Sequence, residues 1–118
     1  MLNLSHKKLE VWKLSKTLIK QIYQLTDKFP IEEKFNIISQ MRRAVVSVSS
    51  NIAEGMSRNS VQEKRRFLEI SRSSLIELDT QIEVCFELNY IKEVDSQDIH
   101  ETLNHIFAML TNLIAKIK

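Results

Sequence analysis

Three consecutive cations, Lys64-Arg65-Arg66, and a polar series, Arg43, Ser47, Asn51 and Glu54, carry the chemistry that residue type and spacing suggest in this chain. Clustered lysine and arginine displace counterions from phosphate, the main source of non-specific nucleic-acid affinity. At 100° per residue the polar series forms one helical band, about 135° from the apolar seam of the same segment. A second band follows in Ile70, Ser74, Glu77, Gln81, Val84 and Leu88. Both bands mix small residues with apolar ones, whereas a solvated face carries more Lys and Glu. That composition suits a helix–helix contact between subunits, with Arg43 pairing to Glu54 or Glu77 across it. A plain solvated face is the alternative reading of the bands, and ordinary surface charge that of the cations.

Other chemistry is missing. Di-iron helical bundles need Glu-x-x-His on two helices, and the chain has none; Glu101 and His105 are one residue too far apart. His6, His100 and His105 are expected to face solvent. No glycine-rich phosphate loop or Gly-x-Ser-x-Gly nucleophile turn occurs. The single cysteine, Cys85, excludes an intramolecular disulfide and a cysteine-based zinc site. Its place in an apolar stripe implies a raised pKa and not a reactive thiolate. The expectation is a protein without catalytic residues, metal or cofactor.

The elements that position these residues follow from composition and periodicity. The 118 residues are the length of one domain, and they include one glycine and one proline. Sheets joined by tight turns need more of both, so a few long helices are expected. Val11, Leu14, Leu18, Ile22 and Leu25 give a first helix over about 7–26. Pro30 breaks the chain and suits the start of a second helix over 31–56, roughly 39 Å long at 1.5 Å per residue. Its stripe is Ile38, Met41, Val45, Val48 and Ile52, and Gly55 is expected to supply a left-handed C-cap. Ser60 and Glu63 form a capping box that opens a third helix over 61–88, with Leu68, Leu75, Leu78, Ile82 and Cys85 buried. Asp95 is the expected N-cap of a fourth helix over 96–117, with Val94 and Ile99 as a hydrophobic staple. Ile99, Leu103, Ile106, Leu110, Leu113 and Ile117 make its seam. The fold expected is all-α: one domain over 1–118, an antiparallel up-down-up-down four-helix bundle.

That topology turns the charge asymmetry into two poles. Met1–Arg72 holds 14 Lys and Arg against 7 Asp and Glu, and Ser73–Lys118 holds 3 against 8. Lys7, Lys8, Lys13, Arg58, Lys64, Arg65 and Arg66 fall at one end of the bundle with Lys116 and Lys118. Asp27, Glu32, Glu33, Glu87, Glu93, Asp95 and Asp98 fall at the other. Lys64, Arg65 and Arg66 sit at the positive end of the third helix dipole, which disfavours cations by a few tenths of a kcal/mol. Their position therefore invites a functional explanation. No signal-peptide h-region and no apolar run of membrane-spanning length is present, so the expected compartment is the cytoplasm.

Gln40-Met41-Arg42-Arg43-Ala44, the stretch from Ser47 to Asn51-Ile52-Ala53-Glu54-Gly55, and Ser74-Leu75-Ile76-Glu77-Leu78 resemble the bacterial four-helix-bundle family of 23S rRNA intervening-sequence proteins. Leu9-Glu10-Val11-Trp12 and Phe29-Pro30 fit its opening, so the resemblance spans nearly the whole chain. Some members are labelled ribosomal proteins. The sequence is also similar to the accessory protein of diversity-generating retroelements. That similarity implies a barrel-shaped homopentamer that binds nucleic acid and partners a reverse transcriptase. Arg43, Asn51, Glu54 and Glu77 match signature positions and read as structural or interface residues. Ser71 and Ser73 replace the family's more frequent Ala and Gly, and Ser49 its frequent Pro, which bears on close helix approach. The function expected is a non-enzymatic, homo-oligomeric accessory protein that binds RNA or DNA without sequence preference. The alternative is a helical scaffold for a protein partner.

Overall fold

A computed structural model describes all residues from Met1 to Lys118. Four antiparallel helices, α1 (Glu10–Thr26), α2 (Ile37–Ser57), α3 (Val61–Glu87) and α4 (Gln97–Lys116), form a bundle 43 × 27 × 21 Å. Short 3₁₀ turns at Ser5–Lys8, Ile31–Glu33 and Glu93–Asp95 complete the chain, and there are no strands. Each helix packs on its sequence neighbours, α4 closes the ring against α1, and the α2–α3 contact is the most extensive. The expected stripes form the core. Leu18, Ile22, Met41, Val45, Val48, Ile52, Leu68, Leu78, Cys85, Ile106 and Leu110 are fully buried.

The second helix starts later than expected. Ile31–Glu33 make one 3₁₀ turn, with Glu33 N–H donating to Pro30 at 3.0 Å, and the chain then breaks at Asn36 (φ −118°, ψ −114°). The physical reason is burial. The apolar period that faces the core begins at Ile38, whereas Ile31 and Phe35 are 78% and 88% exposed. Nothing holds residues 31–36 in a helix, since helical stability in proteins comes mostly from a packed face.

Gly55 does not cap α2. No glycine has a positive φ, and Gly55 is buried inside the helix. A Cβ there would lie 3.2 Å from the Lys64 carbonyl oxygen and Phe67 Cβ, and 3.3 Å from Leu68 Cγ. The glycine is needed for close approach to α3, and the turn itself is made by extended Arg58 (ψ 152°). The left-handed residue is Asn89 (φ 61°), which ends α3 in a Schellman motif. There Tyr90 N–H donates to Cys85 at 2.9 Å and Asn89 N–H to Phe86 at 3.0 Å.

Half of the expected capping box forms. Ser60 Oγ accepts from Glu63 N–H at 3.1 Å, while the Glu63 carboxylate turns to Arg66 at 3.6 Å. Asp95 lies in a 3₁₀ turn and Ser96 precedes α4, and Val94 is 78% exposed, so the staple is not made. His6 is also a correction. The Ser5–Lys8 turn folds back on α1 and α2, burying His6 edge-on against Trp12 at 5.0 Å between ring centres. His100 and His105 do face solvent.

Gly55→Ala should destabilise the protein by about 1 kcal/mol, an overpacking cost of 1–3 kcal/mol partly offset by better helix propensity. Gly55→Val should cost more. Denaturant midpoints measure both, and an Ala midpoint at or above wild type would show that α3 yields.

Candidate nucleic-acid and subunit interfaces

The two polar bands of α2 and α3 lie side by side in one chain. Ser47 Oγ meets Ser74 Oγ at 2.8 Å, and Asn51 Nδ2 donates to both Ser47 O and Ser47 Oγ at 2.9 Å. One turn further along α3, Gln81 Nε2 donates to Glu77 Oε1 at 3.2 Å. Ser71, where a smaller residue is frequent in the resembled family, is fully buried and donates to Val48 O at 2.7 Å. Its hydroxyl has a partner in the facing backbone, so serine keeps the helices close at no unsatisfied polar cost.

The structure thus divides the expected interface residues. Ser47, Asn51 and Ser74 are engaged within the seam. Glu54 pairs with Arg58 on its own helix at 3.0 Å. Arg43 and Glu77 stay exposed, on either side of a polar cleft of about 410 Å³ floored by Ala44, Ser47 and Ser74. Near it, Gln81 is 7% exposed and its Oε1 has no donor. Arg43 makes no ion pair within the chain.

The basic pole forms where the topology puts it, and its cations are partly occupied. Arg65 Nη2 donates to Ile117 O at 2.7 Å, and Lys64 Nζ to Met56 O at 3.4 Å. Lys13 pairs with Glu10 at 3.6 Å, and Arg66 with Glu63. Arg58 and Arg66 lie 4.7 and 5.3 Å from the Phe67 ring. Lys7 donates to Leu2 O, and Lys8 makes no ion pair or side-chain hydrogen bond. These contacts supply a structural reason for the triplet. α2 and α4 end at this pole, and Lys64 and Arg65 bond carbonyls at those C-terminal ends, where cations are favoured. The exposed pairs are each worth at most about 1 kcal/mol, so they leave the cations available to an anion.

Arg42 is a residue that sequence reasoning left without a role. Its Nε donates to Thr26 Oγ1 and its Nη2 to Asp27 Oδ1, both at 2.9 Å, and its guanidinium lies 4.4 Å over Tyr23. It ties the end of α1 to α2. The adjacent Arg43 points 100° away, toward α3 and solvent. A shallow concave surface of about 690 Å³ lies beside Arg42 and includes Tyr23, Lys34, Phe35, Ser39 and Ser50. The signal in the sequence was Phe35, a large apolar residue ahead of the stripe.

Cys85, the one thiol, is fully buried with Sγ 3.7 Å from Met41 Sδ. Burial, with the Glu33 carboxylate adding to it, pushes its pKa up to about 11. Burial first, then Glu33, Cys85 and Glu32, raise the Tyr90 phenol above its usual range. A neutral acid whose folded pKa exceeds its unfolded value stabilises the fold below the unfolded pKa, and that stability is lost as pH rises. Stability should therefore fall between about pH 9 and 11. Cys85 should react with a thiol reagent at pH 8 only in denaturant; rapid labelling of native protein would contradict its burial.

No helix is long and apolar enough to cross a membrane. The chain is similar in fold to a crystal structure of a protein of unknown function, from the S23 ribosomal protein family of Bacteroides thetaiotaomicron. The two share 22% identity with a TM-score of 0.82, over 90% of this chain and 96% of that one. No curated protein matches the chain. The family model described as 23S rRNA-intervening sequence protein matches residues 7–112. With the bundle, its seam and the span of that match all in agreement, the chain belongs to the 23S rRNA-intervening sequence protein family.

Proposed function

We propose that this protein is a non-enzymatic, homo-oligomeric accessory protein of the cytoplasm that binds RNA or DNA through its basic pole. The observation that carries the reading is the convergence of Lys7, Lys8, Arg58, Lys64, Arg65 and Arg66 at one end of the bundle. Their carboxylate partners, Glu54 and Glu63, are half exposed or more and hold them weakly. Recognition of this kind follows phosphate positions and backbone shape, not base sequence.

The proposed assembly is a pentamer, by likeness to the accessory protein of diversity-generating retroelements, and a reverse transcriptase is the corresponding protein partner. Support for a subunit contact on the α2–α3 face comes from Arg43 and Glu77, which are exposed, charged and in no ion pair within the chain. A second subunit supplying opposite charges would pair both.

A second reading, a helical scaffold that binds a protein and no nucleic acid, is favoured by one feature. Exposed Ile76 and Phe107 flank a groove between α3 and α4 floored by Leu75 and Leu103. Apolar side chains so placed suit a helical partner.

Binding of purified protein to a structured rRNA fragment and to duplex DNA across a salt series separates the two readings. On duplex DNA the log–log salt slope should be about −0.9 per phosphate neutralised. Lys64→Glu, Arg65→Glu, Arg66→Glu together should abolish binding, and Lys7→Glu, Lys8→Glu, which leaves the helix ends capped, should weaken it at least tenfold. No binding at low salt would sink the basic-pole reading and leave the scaffold. For the assembly, Arg43→Ala, Glu77→Ala is expected to lower the mass measured by light scattering; an unchanged mass would count against this interface.

A further inference from the structure

The concave surface between the end of α1 and the start of α2 has features that neither the fold nor the basic pole requires. Phe35 is 88% exposed, the most exposed aromatic ring of the chain, and Tyr23 beside it is 38% exposed. Each ring has a cation against it, Lys34 at 5.5 Å from Phe35 and Arg42 at 4.4 Å from Tyr23. Arg43 stands on the far margin, shared with the proposed subunit face; Arg42 is already paired with Asp27 at 2.9 Å, so Lys34 and Arg43 are the cations of this surface without a carboxylate partner. The remaining lining includes the hydroxyls of Ser39 and Ser50. Left almost wholly in water, the Phe35 ring adds little to the core.

We propose that this surface binds single-stranded nucleic acid, with one unpaired base stacked on Phe35 and the adjoining phosphates held by Lys34 and Arg43. The chemistry selects that ligand. A base presents its flat face only when unstacked, which a duplex does not allow and a single strand does. Stacking platforms next to cations follow the pattern of sequence-tolerant single-strand recognition. A protein partner fits less well, because lysine is depleted at protein interfaces and Lys34 stands against the exposed ring. This inference shares the ligand class of the proposed function but uses the opposite end of the bundle, so each can fail alone.

The test is fluorescence anisotropy with labelled oligothymidylate and oligouridylate, beside a duplex of the same length. Phe35→Ala, at an exposed site that the fold does not need, should weaken single-strand binding at least about fivefold with the salt slope unchanged. Lys34→Ala should reduce that slope by about 0.7. Val94→Ala, at an exposed apolar residue outside this surface, should change nothing. Wild-type affinity in Phe35→Ala overturns the proposal, as does a changed assembly mass, which would make the surface a subunit contact. Duplex binding lost on reversing Lys64, Arg65 and Arg66, without any single-strand binding, overturns it too and leaves the basic pole standing. Single-strand binding that needs Phe35, without duplex binding, supports it and removes the basic pole.

Discussion

Where α2 hands over to α3, the two backbones approach so closely that a single methyl group at Gly55 would meet a carbonyl oxygen at 3.2 Å. The approach continues along the seam through Ser71 and Val48 and through Ser47 and Ser74. Everything else is arranged around this pair. α1 and α4 close the ring on it with looser contacts, and the polar bands are aligned by it. Small side chains make such a seam possible, and their hydroxyls bond across it without leaving a buried donor unpaired. The outward edge of the same seam carries Arg43 and Glu77, so the rigid part of the fold also positions the charges proposed to meet a second subunit.

The cationic triplet shows how one residue type serves two ends. At the N-terminus of its own helix a cation is mildly unfavourable, yet antiparallel packing brings the C-terminal carbonyls of α2 and α4 to the same place. Lys64 and Arg65 answer those carbonyls, and Arg66 shares Phe67 with Arg58. A local reading of one helix assigns the cluster a cost; the bundle converts that cost into capping. Bonds to neutral carbonyls leave the charges of Lys64 and Arg65 in place, whereas Glu54 and Glu63 offset those of Arg58 and Arg66.

The core was legible because burial follows the 3.6-residue period, and Val45, Leu68 and Ile106 fall where their spacing puts them. What sequence hid were facts of approach and direction. Gly55 has the place of a C-cap, and only the facing Phe67 and Leu68 reveal that its missing Cβ matters for packing. The left-handed residue is Asn89, a residue type that tolerates that geometry without announcing it. His6 reads as polar and external until the 3₁₀ turn lays it on Trp12. Of the candidate site, the bands and the pole were visible as spacing and charge. That Ser47 and Ser74 bond to each other, and that Arg42 and Arg43 serve different neighbours, depends on which helices are adjacent.

One hydrogen bond joins positions 52 residues apart, Arg65 to the carbonyl of Ile117. The bond takes one of the guanidinium's five N–H donors, and the others stay turned to solvent. Order in the final turn of α4 thus rests in part on a side chain at the opening of α3, and a change at either place is felt at the other.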